Sequence, residues 1–294
     1  VVAPKGIPLL RGDRDDKALV DAWSFLAKPL PLKTSVSPDV LRTVLLLEFP
    51  WAEDAIDAVV EDVAFRLRLG QPWFRFRPLL LVGPPGTGKT SLARRIAELA
   101  GAGFGEMSAA GAADNRLLAG TARGWANAMP SYSLQVIRQA RCANPVILVD
   151  EIDKTQADGR NGDVRQTLLG MLEPRTAKAW LDEGLATQVD LSGISWVLTA
   201  NSSDPLRGPL LTRLRVVQVA TPRPEHIDAV LAGVRRDLAM EFGVTEADLP
   251  HLPDHAERQI RRGCHRGVSL RRVRAAYERA VQHMLAGQLE VPQH

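Results

Sequence analysis

Apolar residues along the chain fall into two alternating rhythms. Short unbroken runs at residues 79–82, 145–149, 194–200 and 216–220, with a weaker one at 104–109, have the length and content of buried strands. Between them the spacing turns helical, at 92–99, 131–143 and 163–172. Strands that alternate with helices predict a parallel sheet with crossover helices on its faces. Ahead of the first strand, residues 53–69 place Ile56, Val59, Val60, Val63 and Leu67 on one helical face, and Gly70 stops the run. After Thr221 no strand pattern remains. One helix spans 224–242, with Ile227, Val230, Leu231, Val234 and Leu238 on one side. Another starts at the N-cap Ser269 and carries Leu270, Val273, Tyr277, Ala280 and Met284.

These patterns divide the chain into three. Residues 1–49 carry Pro4, Pro8, Pro29, Pro31 and Pro38 and read as an extension or linker with one or two short helices, one of them opening at Ser37-Pro38-Asp39. Residues 50–220 form a large α/β domain, a parallel sheet with flanking helices. Residues 221–294 form a small α-helical lid domain.

The most specific chemistry sits where the first strand turns into a helix. Gly83, Gly88, Lys89 and Thr90 spell the P-loop pattern G-x-x-x-x-G-K-[ST] within Gly83-Pro84-Pro85-Gly86-Thr87-Gly88-Lys89-Thr90-Ser91. Glycines let backbone N–H groups close around phosphate oxygens, and the following helix directs its positive end at the same anion. Lys89 reaches the β- and γ-phosphates of ATP, and the Thr90 hydroxyl is a Mg2+ ligand.

Composition narrows the setting. Apolar residues make up 45% of the 294 and charged residues 24%, an ordinary globular balance. No apolar run approaches the roughly 20 residues of a membrane span. The opening Val1-Val2-Ala3-Pro4-Lys5 lacks a secretory signal pattern. Two distant cysteines, Cys142 and Cys264, suit a reducing compartment, so a cytoplasmic location is expected. The 37 basic residues exceed the 34 acidic ones by three, and 30 of them are arginine. They are scattered, with the densest group at Arg258, Arg261, Arg262, Arg266, Arg271, Arg272 and Arg274. A surplus this small fits a solvated helical face plus one or two site arginines better than a nucleic-acid footprint.

Downstream stretches complete a hydrolytic pattern. Residues 145–153 are an apolar strand ending in Asp150 and Glu151: Asp150 holds Mg2+, and Glu151 is the base that orients and deprotonates water. Residues 195–201 form another strand ending in the amide Asn201, at the sheet edge where ligands of parallel sheets bind. Arg213, preferred over Arg215, is the candidate arginine finger for a neighbouring subunit. Arg271, with Arg272 and Arg266 as rivals, is the candidate that reaches back from the small domain to the phosphates.

Set in this order, the pieces resemble an AAA+ ATPase, and more closely the ATPase module of the Lon protease family. Gly124-Trp125-Ala126-Asn127-Ala128-Met129-Pro130 is similar to the Lon segment Tyr-Ile-Gly-Ala-Met-Pro-Gly, and residues 144–154 to its Asp-Glu strand. Gly162-Asp163 through Leu168-Leu169-Gly170-Met171-Leu172-Glu173-Pro174 matches the stretch that follows, and residues 198–202 and 209–213 agree as well. The resemblance covers roughly residues 50–285. It implies a homo-oligomer, usually a hexameric ring, with ATP at subunit interfaces and polypeptide threaded through the pore. Trp125, with Ala126, takes the position of the pore-loop aromatic. A second pore loop would fall between Arg175 and Gln188, where Trp180 is a lesser candidate than Trp125.

Two departures limit what carries over. Gly267-Val268-Ser269-Leu270-Arg271 stands where Lon has Gly-Val-Arg, and no Ser-Lys peptidase domain is accommodated before His294. Proteolysis is therefore not expected of this chain itself, and a separate peptidase or adaptor is left open. The alternatives are an AAA+ ATPase acting on DNA through the Arg258–Arg274 cluster, and a nucleotide-gated scaffold that turns over poorly.

Overall fold

In the computed structural model, residues 1–110, 115–123, 128–155, 163–206, 208–264 and 268–289 are described. The chain opens with α1 (Arg14–Trp23), α2 (Pro38–Glu48) and α3 (Glu53–Arg68). It continues through β1 (Leu79–Val82), α4 (Lys89–Leu99), β2 (Phe104–Ser108), α5 (Arg116–Ala119), α6 (Tyr132–Ala140) and β3 (Val146–Asp150). Then come α7 (Val164–Leu172), α8 (Pro174–Ala177), β4 (Trp180–Asp182), β5 (Thr187–Val189), β6 (Ser195–Ala200) and β7 (Arg215–Gln218). The chain closes with α9 (Ile227–Phe242), α10 (Asp254–Gly263) and α11 (Leu270–Leu289).

Five strands form one parallel sheet in the order β2-β3-β6-β1-β7. Its strands read as unbroken apolar runs because both faces are covered, as parallel sheets require. Alternation along each strand feeds two cores. Leu79 and Leu81 of β1, with Leu148 and Val197, face α2, α3, α4 and α9. Leu80 and Val82, with Ile147, Val149, Trp196 and Leu198, face α6 and α7. Every residue of β6 is buried.

Helix α10 and strands β4 and β5 are among the elements that escape the sequence pattern. Helix α10 buries only Ile260 among mostly charged neighbours, too little apolar content to show a period. Strands β4 and β5 are three residues each and pair antiparallel across residues 183–186, where the resemblance sets a second pore loop. Trp180 is half-buried there, packed against the second core, and Gly170 of α7 leaves it room. A Cβ at Gly170 would lie 2.7 Å from the Trp180 ring.

The first 27 residues are woven into the second core. Val2, Ala3, Trp23 and Leu26 are buried there, and Asp190 N–H donates to the Val2 carbonyl at 2.7 Å. One carboxylate organises this segment. Asp16 accepts the N–H groups of Leu10 (2.8 Å), Arg11 (3.1 Å) and Gly12 (3.1 Å), and it forms a buried ion pair with Arg123. Arg123 in turn donates to the Pro8 carbonyl at 2.5 Å and the Leu185 carbonyl at 3.3 Å. Burial pushes the Asp16 pKa up, but the Gly12, Arg11 and Leu10 N–H groups and Arg123 outweigh it and hold the carboxyl at about 2.

A depressed carboxylate stabilises the fold above its ordinary value of 3.8, and that contribution is lost as pH falls toward 2. The Asp16→Asn protein, which lacks the charge at every pH, should therefore exchange the Leu10, Arg11 and Gly12 amides faster than wild type at pH 7. Hydrogen exchange read by mass spectrometry over residues 8–17 checks this, and equal protection in both proteins would remove Asp16 as the anchor.

Candidate functional site

The P-loop leaves the sheet between its neighbours. Gly83 N–H donates to the Ala200 carbonyl at 3.1 Å, fixing the start of the loop to the end of β6. Gly86 and Gly88 take φ of +80° and +86°, the left-handed region glycine enters without a Cβ penalty. The Thr87 hydroxyl donates to the Pro84 carbonyl at 3.1 Å and tightens the turn. Helix α4 then starts at Lys89, whose ammonium donates to the carbonyls of Gly83 (2.6 Å) and Pro84 (3.0 Å). Burial lowers the Lys89 pKa, opposed by the carboxylates of Asp150, Asp153 and Glu151. Ser91 donates to Asp237 of α9 at 3.3 Å, so the first turn of α4 also meets the helical domain.

Strand order supplies the rest. β3, β6 and β1 are adjacent, so Asp150, Asn201 and the P-loop emerge side by side at the C-terminal edge of the sheet. The Thr90 hydroxyl lies 3.5 Å from Asp150 Oδ1. Glu151 follows with φ of 56°, and its carboxylate pairs with Lys154. Asn201 N–H donates to Asp153 Oδ2 at 3.0 Å. Thr199, buried in β6, donates to Asp150 and accepts the Glu151 N–H at 3.0 Å.

A cavity of about 250 Å³ joins these groups. Pro85 through Ser91 form one wall, and Asp150, Glu151, Thr199 and Asn201 close the floor. Phe49, Val230, Val234 and Leu270 add apolar lining, with Leu270 and Phe49 close over Gly88. A cavity that joins a cationic, N–H-rich loop to apolar side chains suits a nucleotide, with its phosphates at the loop. Thr90 and Asp150 offer two hard oxygen donors facing each other, which suits Mg2+. Among the described residues no group of three or more His, Cys, Asp or Glu side chains is arranged to hold a metal. A cation here would therefore complete its shell with water and phosphate oxygens.

The arginines separate by place. Arg271 lines the cavity, whereas Arg272 lies on the far side of α11 in a groove against α10. Arg266 lies outside the described residues, as do Trp125 and Ala126. Arg213 ends a short 3-10 turn (Gly208–Arg213), 3.3 Å from Glu173 and donating to the Pro209 carbonyl at 3.0 Å; it does not line the cavity of its own chain. Arg215 is tied to α3 through Glu61 at 2.7 Å and the Ala58 carbonyl at 3.1 Å.

Residues 79–230 match the family model described as "ATPase family associated with various cellular activities (AAA)". The chain belongs to the AAA family of ATPases. Its relatives include Lon protease 2 of Herpetosiphon aurantiacus, 33% identical over 250 residues that cover 75% of this chain and 30% of that protein. The Lon protease of Brucella melitensis biotype 1 is 36% identical over 258 residues, covering 76% of this chain and 31% of the relative. A mitochondrial Lon protease homolog of Ostreococcus lucimarinus is 38% identical over 168 residues, covering 57% and 18%. The chain is thus a Lon-like AAA module that spans less than a third of these relatives' length. The matched stretch opens at β1 and closes within α9, so it contains the P-loop, Asp150, Glu151, Asn201 and Arg213.

Several residues at this cavity have no nucleotide-site role in the sequence reading. Arg274 lines the cavity one turn beyond Arg271, where i,i+3 spacing points it the same way. Thr199 sits as the one hydroxyl before Ala200-Asn201 in an apolar run. Trp51 follows Pro50 in a turn that carries no period, yet its indole N–H donates to the Thr87 carbonyl at 2.8 Å and its ring stacks on His226.

Replacing Trp51 by Phe keeps an aromatic ring but removes that donor from the P-loop. One net hydrogen bond of about 0.5–1.5 kcal/mol corresponds to roughly 2- to 12-fold weaker ATP binding. Titration with a fluorescent ATP analogue measures it, and unchanged affinity would show that the loop keeps its shape without Trp51.

Proposed function

We propose that this AAA module is the ATP-driven motor of a Lon-type machine that unfolds or remodels protein substrates by drawing them through the pore of a ring. The observation that carries the reading is the convergence of Lys89, Asp150, Glu151 and Asn201 on one cavity from three adjacent strands. Gly83, Pro84, Pro85, Gly86, Thr87 and Gly88 wrap the phosphates, Lys89 bonds the β- and γ-phosphates, and Ser91 extends the wall. Thr90 and Asp150 hold Mg2+, which when bound neutralises charge on the phosphate oxygens. Glu151, once released from Lys154, takes the proton of the attacking water, and Asn201 orients that water or the γ-phosphate. Arg271 reads the phosphates from the helical domain.

Arg213 serves the neighbouring subunit as an arginine finger, a contribution of about 10³–10⁵ in rate in nucleotide hydrolases. Its position off its own cavity supports that role. Six copies would form the ring, Trp125 and Ala126 would grip polypeptide, and any peptidase or adaptor would be a separate partner. The division at residues 49 and 220 is kept as the domain organisation. No helix among the described residues is long and apolar enough to cross a membrane, and a cytoplasmic location is proposed. A DNA-directed role draws less support, because two of its arginines are engaged: Arg261 with Asp228 and Glu257, Arg274 with Glu241 and Glu278.

Glu151→Gln should keep ATP binding while turnover falls about 10²–10⁴-fold, the usual contribution of a general base. Steady-state phosphate release beside nucleotide titration reads both; full turnover in this variant would dismiss Glu151 as the base. Trp125→Ala should retain ATP hydrolysis and lose unfolding of a fluorescent reporter protein. Normal unfolding by that variant would sink the pore assignment, and stimulation of hydrolysis by DNA but not by unfolded protein would overturn the cargo.

A further inference from the structure

We propose that Thr199 is a positioning residue for ATP hydrolysis, acting through Asp150 and Glu151. It lies in β6 at 1% exposure, inside an otherwise apolar run. A buried hydroxyl there has both a donor and an acceptor to satisfy, and both go to the end of the neighbouring strand. Its proton goes to Asp150 Oδ1, the same oxygen that faces the Thr90 hydroxyl at 3.5 Å. Its oxygen accepts the Glu151 N–H at 3.0 Å.

Two orientations are set by this one hydroxyl. The Asp150 carboxylate is turned toward Thr90, and the backbone of Glu151 is held at φ of 56°, a left-handed conformation that non-glycine residues seldom adopt. Without the tie, the peptide before Glu151 loses the bond that holds this turn, and the Glu151 side chain loses its direction. A second tie runs the opposite way: Asp153, just after β3, accepts the Asn201 N–H at 3.0 Å. Each strand end thus braces the other. In this role Thr199 need not itself meet the water or the phosphate. It sets the angle of the groups that do.

The test compares Thr199→Val, which keeps the shape and removes the hydroxyl, with Thr199→Ser, which keeps the hydroxyl. Three quantities are read: steady-state turnover, affinity for a fluorescent ATP analogue with Mg2+ and with EDTA, and thermal melting. For the valine protein, turnover should fall about 10- to 100-fold, the usual effect of removing a group that orients a metal ligand. Its affinity in EDTA should match wild type, and its gain in affinity on adding Mg2+ should shrink. The serine protein should recover most of both. Wild-type turnover and a full Mg2+ gain in the valine protein would overturn the proposal. So would a valine and a serine protein that lose melting temperature and rate alike, since that marks packing alone. The proposal rests on the hydrolytic reading, and the two fail separately. A wild-type protein that binds ATP without turning it over would refute the hydrolytic reading, while the Mg2+ gain would still report on Thr199.

Discussion

The parallel register of β3, β6 and β1 is the constraint from which the site follows. Val149 lies opposite Leu198, and Val82 opposite Ala200, so the three strands end within a residue or two of one another. Parallel strands carry all their outgoing loops at one edge, and here that edge receives a phosphate loop, two carboxylates and an amide. Inserting β6 between β1 and β3 is what makes cross-bracing possible. Thr199 and Asn201 sit in the middle of the group and bond outward to Asp150, Glu151 and Asp153. The Gly83 N–H closes the other side on Ala200. A one-residue slip of β6 would move each of these groups to the wrong face.

The helical C-terminal unit is held to this edge by contacts made directly on the P-loop. Leu270 N–H donates to the Gly86 carbonyl at 2.9 Å, and its side chain lies over Gly88, where a Cβ would come within 2.7 Å of it. Glu48 of α2 is shared between Arg95 of α4 (2.8 Å) and Arg236 of α9 (2.5 Å). These side chains are about one-fifth exposed, so water screens them less than a surface pair. Loop conformation and lid position are therefore linked. A shift of α11 pulls on Gly86, and a shift of the loop pulls on α11.

Much of this was legible from the chain because the strongest patterns belong to the most buried elements. The strand runs at Leu79, Val146 and Ser195 are apolar on both faces, and the P-loop spelling tolerates little variation, so both stand out without context. Helix α10, with Ile260 as its buried contact, offers no such contrast. The hairpin of β4 and β5 is hidden in the sequence because three-residue strands are too short to alternate, and the seat that Gly170 makes for Trp180 leaves no pattern there. Arg271 and Arg272 are adjacent in sequence, and only the winding of α11 about its axis tells them apart. Thr199 gives no signal in the sequence because a hydroxyl inside an apolar strand reads as a tolerated polar residue until its two partners on the next strand are seen.

Helix α11 gathers the consequences in a single element. Its buried seam, Val273 and Tyr277, packs into the core shared with α2, α3 and α4. Arg271 and Arg274 face the nucleotide cavity from one side, while Arg272 and Arg279 line the open groove against α10 on the other. A helix of 20 residues is stiff over this length, so these three faces cannot move independently. Charge that lines the nucleotide cavity is thereby carried on the same rod as charge on the outer groove. Because the Leu270 N–H is bonded to the Gly86 carbonyl, the start of the rod is tied to the loop itself.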